Sequence, residues 1–323
     1  MPPDGAPTIR IADLSPSSDV AWIFPGQGAQ HVGMGRDLYE QSPVARAVFD
    51  AADAALDLSL ASICFEGPED ELTRTVNTQP AIVTHSIAAL AAAIDAGTVV
   101  ERPAVMAGHS LGEYAALIAA GALTFERGIR LVRERGRLMQ EACDATAGTM
   151  AAVLGLDPDD LRRICEQHGA SVCNVNAPGN ITIGGTTEAV AAASAAAEEA
   201  GAARVIPLAV AGAFHTPLMD GAAGAMATVL DAADFEAPAV QVISNVSATP
   251  LTAGSELATE LTQQITRPVL WADSARAMLD GGATSFIEFG PGRVLAGLMR
   301  RIERSATVRN IGTAAEARGD DPE

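Results

Sequence analysis

Residues 103–112 read PAVMAGHSLG: an apolar run, then Gly108-His109-Ser110-Leu111-Gly112, leading into the helix-forming LGEYAALIAAGAL. A strand passing through a Gly-x-Ser-x-Gly turn into a helix has few ways to fold. The glycines let the backbone turn back on itself, and the serine is left at the C-terminal edge of a sheet. The N-terminus of the following helix favours negative charge developing there. The alternative is a chance pentad in a chain with 30 glycines.

The surrounding chain agrees with the turn. VAWIF (20–24) is a short apolar run halted by Pro25-Gly26, which predicts a buried strand entering a tight loop. SPVARAVFDAADAAL, TQPAIVTHSIAALAAAIDAG and TFERGIRLVRERGRLMQEAC have helical spacing. Strands alternating with helices predict a mainly parallel sheet. The texture changes near residue 148. GTMAAVLGL, DPDDLRRICEQHG, SVCNVNAP, NITIGGT, TEAVAAASAAAEEAG and ARVIPLAV read as β-α-β-β-α-β, the ferredoxin-like plan. The α/β texture then returns. The expected fold class is therefore α/β: a mainly parallel, hydrolase-like core with an inserted ferredoxin-like subdomain. The expected organisation is a loose arm (1–18), a discontinuous core (19–145 and 210–312), the insertion (146–209) and a disordered tail (313–323).

Composition narrows the function. Hydrophobic residues make up 48% of the 323, enough for a sizeable core. Net charge is −19 and every positive side chain is Arg. That field argues against nucleic acid as a partner, and an anionic substrate needs a locally placed Arg. Cys64, Cys143, Cys165 and Cys173 lack C-x-x-C spacing, so neither a zinc site nor another metal site is expected. There is no signal-peptide pattern and no uncharged run of the about 20 residues that span a bilayer. The expectation is a cytoplasmic protein that does not enter a membrane.

A serine nucleophile needs a base. Of five histidines, His109 abuts Ser110 and cannot easily turn back onto it, and His31, His85 and His168 sit in or beside helix-like runs. His215, in VAGAFHTPLM, lies where the chain re-enters the core. It is either the base or a surface histidine at a helix start. FPGQGAQ (24–30) offers backbone N–H groups suited to an oxyanion, or is a structural turn. Arg135 falls near the apolar positions Leu131, Leu138 and Met139 of its helix. An Arg there is costly unless paired: a buried salt bridge, or a clamp for a carboxylate on an acyl group.

Taken in order, FPGQGAQ, NTQPAIV, GHSLGEY, RGRLMQEA, NAPGNITIGG, GAFHTPLM, RPVLW and EFGPGRVL resemble the malonyl-CoA:acyl-carrier-protein transacylases and the acyltransferase domains of polyketide synthases, over about 20–312. The resemblance implies ping-pong transfer of a malonyl group from malonyl-CoA to the phosphopantetheine thiol of an acyl carrier protein, with no bound cofactor. It implies Ser110 as nucleophile, His215 as base, the Gln264 backbone carbonyl orienting that histidine, and the Gln27 and Leu111 N–H groups as oxyanion donors. Arg135 becomes the carboxylate clamp, and Asn176, His109 and Met139 line the pocket. Phe214 fills the space of an α-methyl branch, and the apolar Leu111 side chain also fits a malonyl pocket. The rivals are a hydrolase clearing wrong acyl groups from carrier proteins, a transferase for a substituted malonyl unit, and a non-catalytic scaffold. Docking of an acidic carrier needs an Arg patch, either Arg293, Arg300, Arg301 and Arg304 or the Arg127–Arg137 helix.

Overall fold

The computed structural model describes residues 11–320. The first ten residues of the expected arm and the last three of the expected tail lie outside it. Strand β1, Val20–Phe24, is buried along its whole length. Helix α1, Thr75–Asp95, packs against the helix Pro43–Leu56 and is buried on nearly every side. Strand β2, Val105–Gly108, runs through the serine turn into α2, Gly112–Ala119. Helix α3, Phe125–Ala145, starts where the Thr124 hydroxyl accepts the Arg127 N–H, and it packs along α1.

Six elements follow: β3 (Thr149–Leu154), α4 (Pro158–His168), β4 (Ser171–Ala177), β5 (Asn180–Gly185), α5 (Thr187–Glu199) and β6 (Arg204–Pro207). Their strands form a separate antiparallel sheet, order β4-β5-β3-β6, whose apolar face is covered by α4 and α5. The chain then gives α6 (Asp220–Asp231), β7 (Gln241–Ile243), β8 (Pro250–Leu251), α7 (Gly254–Gln264), α8 (Trp271–Asp280), β9 (Ser285–Phe289), α9 (Val294–Ile302) and β10 (Thr307–Ile311).

The larger sheet has the order β8-β7-β2-β1-β9-β10 and is parallel except at the β8 edge. Side chains alternate across β1. Trp22 and Phe24 join the layer of α1 and α3, while Ala21 and Ile23 join the layer of α8 and α9. Phe24 pairs with Gly108, so the loops leaving β1 and β2 emerge side by side at the C-terminal edge, where open α/β sheets bind ligands. The smaller sheet is stitched to the core there: Val175 N–H donates to Val269 O at 2.9 Å and Val269 N–H to Cys173 O at 2.8 Å.

Residues 11–18 and 313–320 are more ordered than expected. Ser15–Pro16 pairs in parallel with Glu101–Arg102, and Ile11 is buried, so the arm is anchored from residue 11. Residues 314–318 form a helix rather than a disordered tail. Thr313 and Glu316 make a reciprocal capping box, and Ala314 and Ala317 are buried. Two small residues are enough to seat one turn on the core, a signal too short for periodicity to register. The helix Trp271–Asp280 also had no counterpart in the sequence reading.

Candidate active site

Ser110 occupies a left-handed backbone conformation, φ 51°. The turn is too tight for side chains on either flank. A Cβ on Gly108 would lie 1.9 Å from the Gly112 carbonyl carbon, and one on Gly112 would lie 2.2 Å from Phe24 O. A Cβ on Gly26 would meet His109 O at 2.6 Å, so the loop after β1 presses against the serine turn. Among the described residues neither the Gln27 nor the Leu111 N–H donates a hydrogen bond, whereas the Ser110 N–H donates to Asn245 Oδ1 at 2.6 Å. The Leu111 side chain points into the core and does not line the cavity, which corrects its expected place in the pocket.

His215 is also held at positive φ, 60°, and is 4% exposed, so it is not a surface histidine. Its Nε2 lies 2.9 Å from Ser110 Oγ and its Nδ1 lies 2.7 Å from the Gln264 backbone oxygen. A carbonyl can only accept, so Nδ1 carries the proton and Nε2 is left to accept from the serine hydroxyl. Burial, reinforced by the Arg135 charge, pushes the imidazole pKa down to about 3, which keeps it neutral and able to take a proton. The other histidines serve elsewhere. His85 is buried against Gly312 O at 2.8 Å, and His31 and His168 are exposed.

Arg135 is 1% exposed and reaches the same oxygen. Nη2 donates to Ser110 Oγ at 3.1 Å and to Gln264 Oε1 at 2.9 Å, and Nη1 donates to Gln79 Oε1 at 2.7 Å. Its carbon lies 5.8 Å from the Tyr114 ring centroid. All three acceptors are neutral, and the buried Nε has no hydrogen-bond partner among the described residues. An orphaned buried donor on an unpaired guanidinium demands an explanation.

These groups open on a cavity of about 700 Å³ between the two sheets, lined also by Gln27, Met139, Asn176 and Phe214. His109 Nε2 meets Asn176 Oδ1 at 3.0 Å, which joins the serine turn to the smaller sheet. Among the described residues no group of His, Cys, Asp and Glu is placed to hold a metal ion, and no helix is long and apolar enough to cross a membrane.

The sequence reading missed Gln79, Asn245, Glu113 and the side chain of Gln264. A signal existed for Gln79, which closes a polar Asn-Thr-Gln run at the start of a buried helix. Glu113 is a lone charge in a helix whose eight residues are all buried.

Residues 21–317 match the acyl transferase domain family, and the chain belongs to that family. It is 46% identical over 292 residues to a malonyl CoA-acyl carrier protein transacylase of Bacillus subtilis, covering 89% of this chain and 91% of that one. A solved structure of the malonyl CoA-acyl carrier protein transacylase from Coxiella burnetii superposes with TM-score 0.90 at 36% identity, covering 94% and 96% of the two chains. A type II PKS acyl-carrier protein in complex with its malonyl-transacylase gives TM-score 0.89 at 37% identity, covering 94% and 99%.

Proposed function

We propose that this chain moves a malonyl group from malonyl-CoA to the phosphopantetheine thiol of an acyl carrier protein, for fatty-acid or polyketide synthesis, with no bound cofactor. One observation carries the reading: a buried guanidinium without a carboxylate partner shares Ser110 Oγ with His215, whose other ring nitrogen meets the Gln264 carbonyl. The relatives' names point the same way. The smaller sheet follows the ferredoxin-like plan, inserted as 146–209 between the hydrolase-like core segments 19–145 and 210–312. The reaction is placed in the cytoplasm.

In the proposed mechanism, His215 Nε2 takes the Ser110 proton as Oγ attacks the thioester carbon. The oxyanion is received by the Gln27 and Leu111 N–H groups. The intermediate collapses, the CoA sulfur leaves with the proton from His215, and a malonyl ester remains on Ser110. The carrier thiol then gives its proton to His215 and attacks the ester, and the proton returns to Oγ as the serine leaves. Arg135 binds the malonyl carboxylate throughout. Met139, Asn176 and Phe214 wall the acyl pocket, and His109 holds Asn176 in place. The Phe214 ring leaves no room for an α-methyl branch.

An acyl-CoA panel assayed with and without carrier protein tests this. Malonyl transfer should exceed both acetyl and methylmalonyl transfer, and little free malonate should form when carrier is present. Carrier-independent malonate release at the transfer rate would make the protein a hydrolase instead.

The docking face can be narrowed. Arg127 pairs with Asp234, Arg137 with Glu134 and Glu141, and Arg293 with Glu316. Arg130 and Arg133 form no ion pair but are engaged by Ala55 O and by Val76 O and Asn77 Oδ1, whereas Arg300, Arg301 and Arg304 form no ion pair among the described residues. Helix α9 starts at the cavity, where Val294 and Leu298 line it, and Arg301 continues that face outward. Arg301→Glu should raise the apparent KM for carrier several-fold while malonyl-Ser110 formation from malonyl-CoA is unchanged. An unaltered carrier KM would move the docking face elsewhere.

A further inference from the structure

Behind the serine turn, outside the cavity lining, two carboxyl groups are buried side by side, accepting from the adjacent N–H groups of Asn245 and Val246. Glu113, in the first turn of α2, is fully buried, and Glu260, on α7, is 7% exposed. Burial, reinforced at Glu113 by the neighbouring Glu260, raises the pKa of both acids and favours their protonated forms. Glu260 accepts the Val246 N–H at 3.1 Å. Glu113 accepts the Asn245 N–H at 3.3 Å and the side-chain amide N–H of Gln264. The transfer mechanism uses neither acid.

Gln264 is the hinge of the site. Its backbone oxygen holds His215, its Oε1 accepts from Arg135, and its Nε2 donates to Ser110 O at 2.9 Å and to Glu113. A primary amide has the same shape after a half-turn, with donor and acceptor exchanged. Turned over, Gln264 would aim N–H bonds at the guanidinium and its oxygen at the Ser110 carbonyl. The Arg135 contact would be lost, while the backbone contact to His215 would survive. The acceptor supplied by Glu113 opposes that half-turn. Asn245 adds a second link: it takes the Ser110 N–H, and its Nδ2 donates to Gly108 O at 2.7 Å.

We propose that Glu113, held by Glu260, is a positioning residue that fixes the Gln264 amide with its oxygen toward Arg135, and so sets the preference for an acyl group bearing a carboxylate. This rests on the transfer reading above. A purely structural role would lower transfer of every acyl group alike, whereas a role through Gln264 and Arg135 acts on the carboxylate.

The test compares kcat/KM for malonyl-CoA and acetyl-CoA. Wild type must first show malonyl transfer, since failure there overturns the transfer reading itself. Glu113→Leu should then lower the malonyl-to-acetyl ratio about tenfold, the worth of one hydrogen bond to a charged group. Glu113→Gln should restore the ratio, because its oxygen can accept from Gln264 while its NH₂ donates to Glu260. Gln264→Leu covers the case in which Glu113→Leu fails to fold. It keeps the backbone carbonyl for His215, removes the amide, and should lower malonyl transfer more than it lowers acetyl transfer. An unchanged ratio in the Leu variants that fold, or a Glu113→Gln variant that falls as far as Glu113→Leu, overturns the proposal.

Discussion

Ser110→Ala should abolish the acyl-enzyme and lower malonyl transfer about 10⁴-fold or more, and His215→Ala should do nearly the same. The double variant should be scarcely worse than either single one. The reason lies in the shared hydrogen bond: Oγ is a nucleophile only when Nε2, 2.9 Å away, takes its proton, and without the Ser110 ester there is no intermediate for the carrier thiol, which Nε2 deprotonates next, to attack. Labelling with radioactive malonyl-CoA and intact-mass detection of the ester check the first step, and carrier malonylation checks the second. Persistent stable labelling of the Ser110→Ala protein would refute the assignment. The backbone offers a control. Ser110 stands at φ 51°, a conformation that costs a residue with a Cβ about 1–2 kcal/mol and glycine very little. Ser110→Gly should therefore be as inactive as Ser110→Ala yet melt at or above it, since the strain at this turn serves the reaction and not the fold.

Much of this arrangement was legible in the chain because it is local. A strand, a Gly-flanked serine and a helix occupy one stretch, and the glycines are there because 1.9–2.2 Å approaches forbid a Cβ. Arg135 announced itself by falling on the apolar side of an amphipathic helix. The pairing of Ser110 with His215 was different. They are 105 residues apart with the small antiparallel sheet between them, and position alone left His215 open to a surface role. Only the resemblance to a family placed it against the serine. Burial of Glu113 could not be read from GHSLGEY, because a helical Glu beside a turn is usually solvated. The side chain of Gln264 was hidden for another reason: a Gln at the end of an amphipathic helix is ordinarily solvated, yet here its amide links three parts of the site.

Arg135→Met should leave the empty protein at least as stable as wild type while removing its preference for malonyl. In the empty site the guanidinium is buried at 1% exposure with only neutral acceptors and an orphaned Nε. A desolvated charge without a counter-charge is a net cost to the fold, and an apolar side chain of similar volume removes that cost. The cost is recovered when a carboxylate arrives. The Nε–H is free, and the 3.1 Å bond from Nη2 to Ser110 Oγ is the longest the group makes, so it is the one to exchange. A guanidinium–carboxylate hydrogen bond in such a pocket is worth roughly 1.5–3 kcal/mol, about ten- to a hundredfold in kcat/KM. Malonyl transfer should fall by that factor and acetyl transfer should hold or rise, because a neutral acyl group never answers the charge. Lysine should not rescue the variant, since a point charge lacks the planar fork. Free malonate should raise the melting temperature of wild type and not of Arg135→Met, because a ligand stabilises only the state that binds it. Equal loss of malonyl and acetyl transfer, or an equal malonate shift in both proteins, would remove Arg135 from carboxylate recognition.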